Sequence, residues 1–343
     1  MVITGEGIEV RICVVFPARG RSIERHMAKQ PLLGHIYTLA KESLLAYKCA
    51  VSEFEAHVNC VEDQEELRVQ LASLGLVSFV KNGAILPRQS GASQLPLKES
   101  AVVPFTSPPR LEVTVQLSNS RIIGMGLPHA SLVVLIRAGF HGKSTLLDAI
   151  SLDRYNYVPG DGREFMCSVE SVSNVASEDG RPISSVDVSS FIINLPVGKS
   201  TKYFSTSDAS GSTSCAATLT EALEIASELL CIDEHTTAAN WLACSPVMAR
   251  LIGKESIIHL ERRAREIVKQ TGTTLMLVCG NSTEYLAQAD LILKLEDFVC
   301  LDVTAQAKES WWKSTEGGRA QILSYFLALG HIGLTCFSLA TKS

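Results

Sequence analysis

One change of pattern constrains this chain more than any other. Leu132-Val133-Val134-Leu135-Ile136 is a continuous apolar run, as expected of a strand buried on both faces. Arg137-Ala138-Gly139-Phe140-His141 follows, then Gly142-Lys143-Ser144-Thr145, then a helical stretch over 143–150. The order is strand, glycine-bearing loop, Gly-Lys-Ser-Thr, helix. Backbone N–H groups of such a loop, together with the positive end of the helix, can cradle phosphates. Lys143 is placed to reach the outer phosphates and the Ser144 hydroxyl to ligate magnesium. An ordinary strand–loop–helix junction has the same order, and the strict pattern is incomplete, because its first glycine falls on Arg137.

A second segment completes the chemistry. Leu229-Leu230-Cys231-Ile232-Asp233-Glu234 is an apolar strand ending in paired carboxylates. Asp233 can hold magnesium directly or through water, and Glu234 can polarise an attacking water as a general base. The hydroxyl-rich run 205–214 precedes it and opens a helix expected over 215–227. Such a run offers several anion donors at a helix start, although a capped surface loop has the same composition.

Around these segments the chain reads as α/β. Strands are expected over 8–16, 77–80, 111–117, 132–136, 190–195, 229–232 and 274–279, and a further helix over 254–270. Buried strands alternating with helices predict a mostly parallel sheet. In the first part, Ala40, Leu44, Tyr47, Val51, Phe54 and Val58 step by three or four and predict a core-facing helix. A second helix is expected from Glu62, with acids in its first turn and Gly75 after its end. Residues 87–110 hold five of the twelve prolines and predict a connecting loop. The division expected is an N-terminal α/β accessory module over 1–110, a nucleotide-binding domain over 111–308 and a tail over 309–343.

Composition excludes some classes. Hydrophobic residues make up 46% and charged ones 20%, which argues against disorder. The net charge of -5 excludes a globally basic nucleic-acid coat. The ten cysteines form no C-x-x-C pair, so neither a zinc ribbon nor a disulfide scaffold is expected, and a reducing intracellular compartment, cytoplasmic or mitochondrial, is the default. The first thirty residues include Glu6, Glu9 and Glu24 without a long apolar run, so no secretory leader is expected.

At these residues the chain resembles the predicted ATPases of the ABC class, P-loop proteins that are not membrane transporters. The resemblance runs from about Ile8 to Lys308. It is carried by Phe16-Pro17-Ala18-Arg19-Gly20-Arg21, Val61-Glu62-Asp63-Gln64, Gly83-Ala84-Ile85-Leu86-Pro87-Arg88 and Gly124-Met125-Gly126. It continues through Phe140-His141-Gly142-Lys143-Ser144-Thr145-Leu146-Leu147, Pro159-Gly160-Asp161-Gly162-Arg163-Glu164 and Glu178-Asp179-Gly180-Arg181. Asp208-Ala209-Ser210-Gly211-Ser212-Thr213-Ser214 and Ile232-Asp233-Glu234 complete it.

The resemblance implies a P-loop fold of ABC-ATPase type with a small N-terminal α/β module, and an ATP site shared in a homodimer. ATP or ADP would lie on Gly139, Phe140, His141, Gly142, Lys143, Ser144 and Thr145. Mg2+ would lie on Ser144 and Asp233, with Glu234 catalytic. Ser210, Gly211 and Ser212 of the second copy would cap the γ-phosphate. Asp179, Arg181 and Asp187 lie where ABC proteins sense that phosphate, and Thr236, Thr237 and Asn240 where a loop crosses the dimer. Arg137 and Ala138 replace family glycines, which predicts weakened binding and slow hydrolysis. Gly280-Asn281-Ser282 stands where transporters carry a switch histidine.

Relatives in the family are linked to RNA handling in kinetoplastid mitochondria, which makes Arg19, Arg21 and Arg25, and the cluster Arg262, Arg263 and Arg265, the candidate RNA contacts. Three classes follow: an ATP-driven switch, a nucleotide-binding scaffold without hydrolysis, and an RNA-binding module with a regulatory nucleotide site. No membrane association is expected outside the tail. There, 322–340 is a run of nineteen residues without a formal charge, flanked by Arg319 and Lys342, and reads as a candidate anchor or as a family-foreign end from altered splicing or a gene-model error. The resemblance also implies that 343 residues are the central portion of a longer architecture.

Overall fold

A computed structural model describes residues 2–4, 7–10, 12, 14, 16–19, 22–44, 51–90, 93–97, 102–136, 141–193, 195, 200–245, 251, 255–280 and 284–315. The chain divides into two compact units, Met1–Glu62 and Asp63–Ser343. In the first, β1 (Val2–Thr4) pairs antiparallel with β2 (Gly7–Glu9), and β3 (Ala18–Arg19) with β4 (Ser22–Ile23). Helix α1 (Arg25–Gln30) passes through a π-helical turn at Pro31–His35 into α2 (Ile36–Ser43). Of the strand expected over 8–16, Ile8 and Glu9 are in strand, and positions 11, 13 and 15 lie outside the described residues.

Helix α3 (Val51–Ser73) is continuous where two helices were expected. The apolar stripe ending at Val58 does not face a core: Val51 and Phe54 are 69% and 60% exposed. Tyr47 lies outside the described residues. The acids near Glu62 have another task, because a helix that starts at Val51 has no first turn there. Asp63 accepts from the N–H of Asn119 at 3.0 Å and the hydroxyl of Ser120 at 2.6 Å, and Glu66 accepts from the N–H of Ser118 at 2.7 Å. Together they clamp a strand-to-strand turn.

That turn joins β8 (Glu112–Gln116) to β9 (Arg121–Pro128). With β5 (Leu76–Lys81) and β11 (Met166–Ser168), these form an antiparallel sheet in the order β11-β5-β9-β8. Residues on both sides of position 110 therefore share one sheet. Gly124 and Gly126 break up the β9 pattern in the sequence, yet β5 needs them small. A Cβ on Gly124 would run into the Val80 carbonyl and the Phe79 ring. Between β5 and β8, the expected loop carries an antiparallel hairpin of β6 (Arg88–Ser90) and β7 (Ser93–Pro96).

The central sheet has the order β12-β15-β16-β10-β17-β18. Its strands are β12 (Ser173–Val175), β15 (Leu229–Asp233), β16 (Thr274–Cys279), β10 (Leu132–Ile136), β17 (Leu291–Glu296) and β18 (Val299–Asp302). All neighbours are parallel except β17 and β18, which pair as an antiparallel hairpin. The mostly parallel α/β sheet is as expected. Two minor strands, β13 (Ile183–Val186) and β14 (Phe204–Thr206), pair outside it.

Alternation sends successive side chains of each central strand to opposite cores. Leu132, Val134, Leu230, Ile232, Leu275 and Leu277 join one cluster, with α5 (Gly211–Glu224) and α7 (Leu260–Thr271) packed on it. Val133, Leu135, Cys231, Met276, Val278 and Leu293 join the other, against α4 (Lys143–Leu152) and the antiparallel sheet. Because both faces are covered, β10 is apolar throughout, and β15 and β16 are apolar apart from Asp233 and Thr274 at their ends. Two short helices, α6 (Ala239–Leu242) and α8 (Glu284–Gln288), and the closing α9 (Thr304–Thr315) complete the described fold.

Of the strand expected over 190–195, the described residues 190–193 and 195 form no sheet strand, and position 194 lies outside them. Phe191 and Ile192 are buried, but the segment makes only a local bridge: Ile258 N–H donates to Phe191 O at 2.7 Å and Ile193 N–H to Ser256 O at 2.8 Å. Its apolar residues feed the α5 core rather than a sheet. The helix expected over 254–270 begins only at Leu260, and the one expected at 215 begins at Gly211. Among the described residues, no helix is long and apolar enough to cross a membrane, and 322–340 lies outside them.

Candidate functional site

Parallel pairing fixes where the two chemical segments meet. Ile136 is level with Cys279, and Asp233 with Val278, so β10 and β15 end at the same edge with β16 between them. The two strand ends lie ~10 Å apart across two strand spacings. Helix α4 closes the gap: Ser144 Oγ donates to Asp233 Oδ2 at 2.9 Å.

The start of α4 is built for an anion. Gly142 has φ 85, a left-handed conformation that turns the chain into the helix. No side chain caps the first turn among the described residues, so its N–H groups point out from the positive end of the helix. Lys143 is buried. His141 is fixed from outside the loop, because its Nδ1 accepts the Asp297 N–H at 2.8 Å. Arg137, Ala138, Gly139 and Phe140, including two expected nucleotide contacts, lie outside the described residues.

Asp233 is buried and its second oxygen is also engaged: Oδ1 accepts the His235 N–H at 2.9 Å. Glu234 is half-buried and tied to the next strand, since its N–H donates to Val278 O at 3.2 Å and its Oε2 accepts the Gly280 N–H. Asp148, one turn beyond Ser144, was not picked out in the sequence. Partial desolvation, then the charge of Asp233, holds its carboxyl above the usual range, with Arg163 opposing. Hydroxyl and carboxylate oxygens converge here beside a carboxylate already repelled by its neighbour. That donor set fits a hard divalent cation such as Mg2+, whose charge relieves the repulsion.

Ser210, Gly211 and Ser212 lie elsewhere. They line a cavity of about 490 Å³ with Ser177, Asp179 and Asn240, and none of His141 to Thr145 lines it. Gly211 packs so closely that a Cβ would strike Ser177 Oγ and come within 3.1 Å of Asp179 Oδ1. Ser212 Oγ donates to Asn240 Oδ1 at 2.7 Å. Ser210 does not cap its helix; its hydroxyl lies 2.8 Å from that of Thr213. The segment before it is tied in as well, with Gly180 N–H on Ala209 O at 2.9 Å and Glu178 N–H on Ser214 Oγ at 3.0 Å.

The loop after Asp233 links both halves. Thr237 Oγ1 donates to Asp233 O at 2.6 Å, and Thr236 O accepts Ser177 N–H at 2.7 Å. Of the three candidate phosphate sensors, Arg181 is spent on α5, bonding Thr218 at 2.6 Å and Glu221 at 2.5 Å. Asp187 caps Ser189 at 2.9 Å, and Asp179 alone borders the cavity.

The comparisons with known proteins bear on this geometry. An uncharacterized protein of Methanocaldococcus jannaschii, MJ1628, is 29% identical over 243 residues, which cover 68% of this chain and 53% of that one. The chain thus spans about half the length of the curated relative it matches. Among solved structures, cbiO1 from Clostridium perfringens, part of the ABC transporter complex cbiONQ, aligns with a TM-score of 0.43 at 13% identity, covering 74% of this chain and 99% of that one. The ABC_ATPase family, described as a P-loop domain, matches residues 50–327, past Lys308 where the motifs end. A match over that much of the sequence is decisive: the chain belongs to the ABC_ATPase family of P-loop proteins.

Proposed function

We propose that the chain is a magnesium-dependent ATPase whose bound nucleotide joins two copies, with hydrolysis releasing them. The observation that carries this reading is the contact of Ser144 Oγ with Asp233 Oδ2 at the edge where β10 and β15 end. It brings a phosphate-loop hydroxyl and a strand-end carboxylate onto one point, the two protein ligands that a nucleotide-bound magnesium takes. When bound, magnesium would neutralise charge on the phosphate oxygens. Gly139 to Thr145 hold the phosphates, with Lys143 as the fixed positive charge.

Glu234 acts on water. Its carboxylate is oriented by the Gly280 N–H at the end of β16, so it can accept a proton from an attacking water without first reorganising. Ser210, Gly211 and Ser212 border a cavity that none of the described phosphate-loop residues, His141 to Thr145, lines, which suits contact with nucleotide held by a second copy. Contacts to RNA stay outside this reading. Arg263 donates to Glu266 and to Ser190 O, and Arg265 pairs with Asp290, so these two arginines already serve the fold, whereas Arg19 is exposed and Arg21 lies outside the described residues.

Phosphate release from the purified chain tests the reading. Glu234→Gln keeps the shape and hydrogen bonding of the side chain but not the base. It is expected to slow release by about 10²–10⁴-fold with ATP binding retained. Release at the wild-type rate from this variant would contradict the role given to Glu234.

A further inference from the structure

Asp297 and Phe298 are the two residues between β17 and β18, and both have positive φ, 47 and 66. Two-residue hairpins of this kind favour Asn-Gly or Asp-Gly, because a side chain at the second position is strained. An aromatic residue with positive φ is uncommon. The cost is not offset by burial, since Phe298 is 51% exposed.

The exposed ring stands beside the helix start that suits phosphates. A Cβ on Gly142 would lie 3.2 Å from the Phe298 Cδ1 atom. Asp297 N–H holds the hairpin tip to His141 at 2.8 Å, and the His141 and Phe298 rings lie 6.4 Å apart, tilted by 50°. The turn is thus locked to the two residues that precede Lys143, and it presents a flat apolar face there.

We propose that Phe298 is the face on which the base of the bound nucleotide stacks. The inference rests on the nucleotide reading above and adds a base subsite to it. Stacking on an aromatic ring tolerates any base, because every base has a π-face. The ring therefore contributes affinity for nucleotides over inorganic phosphates rather than choice among bases.

Calorimetric titration of ATP and of inorganic tripolyphosphate, both with magnesium, into the full chain tests this. Phe298→Leu keeps an apolar group against Gly142 without the ring, and Phe298→Ala removes both. Both variants are expected to bind ATP roughly tenfold more weakly and tripolyphosphate unchanged. Equal losses for the two ligands would show that the ring only supports the loop, and no loss would show that it does nothing for the nucleotide. Either result overturns the inference. A second readout is Phe298→Trp, whose added indole emission should be quenched by ATP and not by tripolyphosphate; no quenching contradicts stacking. Failure of the wild-type chain to bind ATP would instead bring down the nucleotide reading itself, and this inference with it.

Discussion

Ser144 and Asp233 are 89 positions apart in the chain and 2.9 Å apart through Oγ and Oδ2. Their pairing was legible in the sequence because Asp233 ends one apolar strand and Ser144 opens the helix that follows another, β10. Phe298 was not legible. Without a glycine, Asp297-Phe298 gives no turn signal, and an exposed ring reads like a core one. Buried Glu261 was equally silent. It lies in the first turn of α7, where helix polarity favours a carboxylate, yet burial pushes its carboxyl up to about 7. The Cys244 N–H lowers the value, the Glu284 charge raises it and Arg262 lowers it. Because the folded pKa exceeds the ordinary 4.5, this group favours the fold fully below 4.5, and that contribution is lost as pH rises through about 7. Glu261→Gln should therefore stabilise the protein above neutrality, on the order of 2 kcal/mol after allowance for solvent screening, and little near pH 4.5. Urea unfolding at the two pH values checks it; an equal difference at both would refute the titration.

At the level of elements, the central strands β10, β15 and β16 were found at or within one residue of their bounds. Burial on both faces leaves no polar position to blur them. In the antiparallel sheet, β5 and β8 were found within one residue of their bounds, whereas β9 and β11 were missed; β9 owes its glycines to the close approach of β5 rather than to a turn. Residues 190–193 were misread for the opposite reason: apolar residues that fill a core without a neighbouring strand look like strand. Helix α5 began four residues earlier than expected because the hydroxyl-rich run supplies its first turn instead of a loop before it. That start is the element on which the proposed joint between copies depends. In Gly211→Ala the new methyl group collides with Ser177 and crowds Asp179, displacing the segment. ATP-dependent dimerisation should weaken at least tenfold, while ATP binding to the single chain persists. Sedimentation with and without ATP measures the first and calorimetry the second; dimerisation at the wild-type level would show that this segment is not at the joint.

The whole molecule keeps its acidic excess in the half that carries the P-loop. Residues 126–308 carry 15 basic and 22 acidic side chains. Among the described residues of the loop-to-helix turn, Lys143 supplies positive charge, and on the proposed reading it and the helix start draw in the polyanion. The class of fold was readable from the rhythm of apolar strands and helices. The proposed joint between two copies came from the resemblance alone, because such a joint leaves no pattern in one copy beyond a cavity that none of His141 to Thr145 lines. The most direct measurement is a calorimetric titration of the full chain with ATP and magnesium, repeated with Lys143→Ala. The account predicts saturable, magnesium-dependent binding that falls roughly 10- to 100-fold in the variant. No binding to the wild-type chain, or binding indifferent to Lys143, would contradict it.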